Sequence, residues 1–240
     1  MKMKSYKRDG NNRIVYSKDM KLIELIDADY ELLSILLRLD IQLPFGDVSV
    51  EEMCRRYDMS PTLFLMICQV YACADFEPDV ESLQTSDLRH IISYLRASHR
   101  FYLESMLPSI AEGVERVLES CDAKQSAILR RFYESYAEEV RAHLHYEESV
   151  IFPHVESLLS GSVAEKNMSD YMAHHTDICD KVDDIKSIVI KYLPESCPTH
   201  VRCDLLFNLF RMRDDLSKHT LIELKLLTPM VIAEERRLQQ

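Results

Sequence analysis

From about residue 86 onward, apolar side chains return every three or four positions, the period of a helix that buries one stripe. One stripe runs Leu88, Ile92, Leu95, His99, Tyr102, Met106, and a second Leu129, Phe132, Tyr136, Val140, His143, Glu147, Val150. A third runs Met168, Met172, His175, Ile178, Val182, Ile185, and a fourth Leu205, Leu209, Met212, Leu216, His219, Glu223, Leu226. These stripes predict four long helices, roughly 86–119, 122–160, 163–193 and 199–238. Asp122 with Gln125, and Ser162 with Glu165, have the spacing of capping boxes at two of the starts. Short connections make consecutive helices antiparallel neighbours, so the expected fold is all-α, an up-down-up-down four-helix bundle. Pro108, Pro153 and Pro229 fall inside these helices and are expected to bend them.

The N-terminal third is patterned in shorter pieces. Residues 1–15 are polar and basic and read as a loose arm, and 18–39 has helical period. Ser49-Val50-Glu51-Glu52 reads as a capping box, and Ser60-Pro61 as an N-cap serine with an N1 proline opening a helix to about residue 74. The expected organisation is a small N-terminal helical domain over 1–78, a linker over 79–86 and the bundle over 87–240. The stretch SVEEMCRRYDMSPTLFLMI also has a helix-turn-helix pattern, but its second helix carries no lysine or arginine to meet phosphates or guanines.

Composition narrows the function classes. Four glycines in 240 residues, with 47% hydrophobic side chains, suit a helical protein with a sizeable core. A net charge of -11 argues against nucleic acid or an anionic membrane surface as the partner. No apolar run approaches the ~18 residues of a membrane span. The seven scattered cysteines lack a Cys-x2-Cys pair and read as reduced packing residues, which implies a cytoplasmic protein.

The chemistry lies where polar residues interrupt the stripes. His143 and Glu147 are four residues apart, as are His219 and Glu223, and His99 and His175 each precede the paired histidine by 44 residues. The two sets are offset by 76 throughout, and Pro153 and Pro229 obey the same offset, so the bundle reads as a duplicated two-helix unit. Positions i and i+4 share a helix face, so each His-x3-Glu pair can aim an imidazole and a carboxylate at one point. A lone pair of this kind is usually a solvated surface pair, but these six residues sit on core seams. A buried carboxylate without a positive partner costs several kcal/mol, and the six include no lysine or arginine. A metal would supply the charge. Two carboxylates can bridge two ions and leave two histidines for each, which suits iron, with manganese second, and fits closed structural zinc poorly.

Among the other histidines, His90 and His145 lie about 180–200° from the seam histidines and should face away. His154 returns to the seam three turns off, His174 neighbours His175, and His200 carries no signal. Tyr102, Tyr136 and Tyr171 flank the ligand positions and read as core residues with a satisfied hydroxyl. Glu139 and Asp215 each lie four residues before a seam histidine, again 76 apart. Each could accept the outward N–H of a metal-binding imidazole, or could be a solvated charge.

The segments SHRFYLESMLP, HLHYEESVIFP, HHTDICDKVDDIK and HTLIELKLLTP resemble the hemerythrin-like (HHE) cation-binding domain, and most closely the di-iron proteins that repair iron–sulfur clusters. The resemblance covers about 86–232 and implies four histidine and two bridging glutamate ligands, His99, His143, Glu147, His175, His219 and Glu223. It also reaches the N-terminal region over 49–67, but the paired-cysteine motif of the repair proteins is replaced by IQLPFGD, leaving only Cys54 of that pattern. The resemblance implies two iron ions, a gaseous ligand or peroxide at open positions, and a role in cluster repair or stress response with an iron–sulfur client protein. The lost cysteines leave open a non-catalytic oxygen, nitric oxide or iron sensor, or a storage protein.

Overall fold

The computed structural model describes residues 10, 14–162, 168–169 and 180–239. It is an all-α helical bundle, and among the described residues there is no strand, only isolated bridge positions such as Lys21 with Ser49. The predicted capping-box start at Ser162 and Glu165, together with His174, His175, Tyr171 and Cys179, lies outside the described residues or extends beyond them. The chain forms two compact units, one from 1–95, 158–163 and 221–240, the other from 96–157 and 164–220.

The first unit contains the short N-terminal helices Leu22–Ala28, Leu33–Arg38, Val50–Arg56 and Pro61–Ala72. The helix expected over 18–39 is broken at Asp29, which turns extended (φ −152, ψ 103) and accepts the Glu31 N–H on its side chain. Asp prefers such a cap to a helix interior because its short carboxylate competes for nearby backbone N–H groups. Ser49 and Ser60 cap their helices as expected, accepting from Glu52 and Leu63 N–H groups, and Pro61 stands at the helix start. Arg38, nearly buried, donates to Tyr94 Oη at 3.3 Å. Lys225 Nζ donates to the Phe76 carbonyl, and Thr85 to the buried carboxylate of Glu234.

The second unit holds a core of Tyr102, Met106, Ile110, Val140, Ile185 and Leu209 with their neighbours. The helix starting at Ala123 opens with the predicted capping box of Asp122 and Gln125. Gly113 marks a close helix approach, since a Cβ there would stand 3.1 Å from Leu205 Cδ1. Among the described seam residues, Phe132 is 41% exposed, His143 and Val150 are half-buried, and the others are buried. Helical period places Phe132 near the stripe edge, one position too far round to be covered.

The prolines act through a specific device. Each of Pro108, Pro153 and Pro229 follows, by six residues, the start of a π-helical turn, at Tyr102–Met106, Glu147–Ile151 and Glu223–Leu227. A proline removes one backbone donor and its ring clashes with the carbonyl four residues back. The wider i→i+5 turn absorbs both effects, so the helices continue through the prolines. Two of the turns open on Glu147 and Glu223, the seam carboxylates, and π-helical turns are frequent at functional sites.

Candidate metal centre

Glu147 lies 1% exposed at the middle of the second unit. Its Oε1 stands 2.7 Å from His143 Nε2, one turn earlier on the same helix. Its Oε2 stands 2.9 Å from His99 Nε2 and 3.6 Å from His219 Nε2. One ligand atom each from His99, Glu147 and His219 fall within 4.8 Å of one another, and all three residues are buried. Two adjacent ligands of an ion with bonds of about 2.1 Å stand about 3 Å apart, so the His99–Glu147 spacing suits a shared cation. Burial opposes ionisation of Glu147, but the close imidazoles of His143, His219 and His99 outweigh it and hold the carboxyl well below the usual range. An ionised carboxylate this deep, among nitrogen donors, is a donor set that fits a metal ion.

Glu223 follows His219 by one turn, opens the last π-helical turn and is 4% exposed. His175 is outside the described residues. His145 is exposed and His90 half-buried, and neither joins the cluster of His99, Glu147 and His219. His154 is buried.

Aromatic rings wall the centre. Phe152 stacks on the His99 ring at 5.3 Å and 15°, and Tyr102 meets His219 edge-on at 5.6 Å. Tyr102 Oη donates to Asp215 Oδ1 at 3.0 Å and also reaches the Asp215 carbonyl at 3.2 Å. Asp215 is 5% exposed. Of the two acids one turn before a seam histidine, Asp215 is therefore buried beside the centre. Glu139 is instead a solvated charge, paired with Lys181 at 2.6 Å.

One acid was not singled out by sequence. Glu148 Oε1 stands 2.8 Å from His99 Nδ1, and its other oxygen accepts from Arg96 Nε at 3.1 Å. Arg96 also donates to Glu156 at 2.6 Å and lies over the Phe152 ring. The bond with His99, together with Arg96 and against partial burial, holds the Glu148 carboxyl below the usual range. The available signal was Arg96 itself: a charged residue three positions before His99, on nearly the same helix face as an otherwise apolar stripe.

The comparison with known families agrees with this geometry. Residues 90–231 match the Hemerythrin HHE cation binding domain, and the chain belongs to that family. No curated protein and no solved structure matches. Among the described residues no helix is long and apolar enough to cross a membrane, and the six described cysteines are free.

Proposed function

We propose that this HHE domain houses a non-haem di-iron centre that binds oxygen, peroxide or nitric oxide. In this reading His99, His143, His175 and His219 supply nitrogen ligands, and Glu147 and Glu223 bridge. The observation that carries it is Glu147, buried, with histidine nitrogens 2.7 and 2.9 Å from its two oxygens. The 76-residue repeat extends the set to His175 and Glu223. Manganese is the alternative metal for the same donors.

Bound iron would supply open coordination positions and one-electron redox chemistry. The chain's own residues orient and enclose. Each His-x3-Glu pair fixes an imidazole and a carboxylate on one helix face, and Tyr102 and Phe152 restrict water around the rings. The role we favour is repair of iron–sulfur clusters or defence against oxidative and nitrosative stress in the cytoplasm, with a cluster-bearing protein as client.

The missing paired-cysteine motif favours a second reading, a non-catalytic sensor that passes a signal to a partner. The test is to mix anaerobically reduced, iron-loaded protein with nitric oxide or peroxide and follow absorption and consumption. Turnover supports the first reading; a spectral change with ligand-dependent partner binding and no turnover supports the sensor. No spectral change with any of these ligands would sink both.

A further inference from the structure

The 76-residue offset repeats the ligand residues but not the residues that surround His99. Glu148 contacts His99 Nδ1, while Nε2 of the same ring points to Glu147. Arg96 fixes Glu148 from the far side, and also covers Phe152, which is stacked on the imidazole. The His99 ring is thus held at an edge and on a face by groups that share one guanidinium. At the repeat-mate positions, 76 residues on, Glu148 becomes Leu224, Arg96 becomes Met172, Phe152 becomes Thr228 and Glu156 becomes Ile232. Every component of the clamp is lost in the second copy, and Leu224 is 45% exposed.

We propose that Glu148, held by Arg96, is the positioning residue for His99, and that it makes the two metal positions of the centre inequivalent. The inference rests on the metal-centre reading above. A carboxylate on the outward nitrogen of a ligating imidazole fixes which nitrogen faces the metal, fixes the ring's rotation and raises its basicity. Only the first repeat has this carboxylate at the homologous place. The position served by His99 therefore binds its ion more tightly and fills first, and its partner fills second.

The test uses the full chain, stripped of metal and titrated with Co(II) alone, followed by visible absorption and calorimetry. Wild type takes up cobalt in two resolved steps. Glu148→Gln keeps the shape but removes the charge, and weakens the tighter step about 10–100-fold while leaving the weaker step in place. Arg96→Met leaves the carboxylate but frees it, and produces a smaller loss in the same step. In the cobalt form, the exchangeable imidazole N–H proton of His99 exchanges slowly with solvent in wild type and rapidly in Glu148→Gln. A role confined to folding would not move that proton. If Glu148→Gln folds and binds both ions like wild type, the positioning role is overturned and the metal centre stands. If Glu148→Gln does not fold, an unchanged tighter step in Arg96→Met overturns it equally. Wild type that takes up no cobalt overturns the metal-centre reading itself.

Discussion

The carboxylate of Glu147 stands 2.7 Å from the Nε2 of His143, one helical turn before it, at the opening of a π-helical turn. The widened turn belongs to the proline six residues on, and the repeat places Glu223 at the opening of an equivalent turn before Pro229. Backbone irregularity and the proposed carboxylate ligand thus fall on the same residue in both copies.

Because Glu147 touches histidines through both oxygens, its removal should abolish metal binding. We expect Glu147→Ala to carry almost no iron, and His145→Ala, on an exposed face, to load nearly as wild type. Elemental analysis of the two purified variants checks this. Iron loss in His145→Ala equal to that in His143→Ala would show the helix phase to be wrong.

Asp215 and Glu139 should now separate. Asp215 is buried and holds the Tyr102 hydroxyl beside His219, whereas Glu139 pairs with Lys181 near the surface. Tyr102→Phe should cost about 1–3 kcal/mol in urea unfolding, the range for removing one partner of a buried hydrogen bond. Glu139→Gln should cost less than about 1 kcal/mol, the range of exposed ion pairs. Equal effects would remove the distinction.

Gly113 tests the packing of the second unit. An alanine gains helix propensity of roughly 0.5–1 kcal/mol. Its methyl, however, would meet buried Leu205 at 3.1 Å, and overpacking of a filled core costs about 1–3 kcal/mol. Net destabilisation of about 1 kcal/mol is expected for Gly113→Ala by urea unfolding of the metal-free protein. An increase in stability would mean that Leu205 yields freely.

Acid should destabilise the metal-free protein through Glu147 and Glu148. Both carboxyls are held below their ordinary value, Glu147 by neighbouring imidazoles that overcome burial and Glu148 chiefly by His99. A depressed folded-state value gives stability that is present above the unfolded carboxylate pKa of about 4.3 and is lost as pH falls through the folded value. Urea midpoints should therefore fall below about pH 4, and less steeply in Glu148→Gln. Parallel curves for wild type and variant would contradict this assignment.

Much of the centre was legible because burial and duplication left redundant marks. The stripes through His99 and His219 are buried as read, since a buried helix face needs only the helical period to be found. Phe132 escaped because period alone does not say how wide a stripe its neighbours cover. Asp29 escaped because a helical period in 18–39 conceals a side chain that competes for the backbone. Glu139 and Asp215 looked equivalent by offset, and only their neighbours, Lys181 and Tyr102, divide them. Glu148 was hidden for the converse reason: it has no repeat partner, and its contact with His99 spans 49 residues between helices.

The central claim is a dinuclear iron centre in this HHE domain. The direct measurement is metal content and absorption of wild-type protein purified from iron-replete cells. The account predicts about two iron ions per chain, the number that two bridging carboxylates and four histidines can hold, with oxo-to-iron charge-transfer bands in the near ultraviolet. Protein that consistently carries one zinc ion and no iron would contradict it.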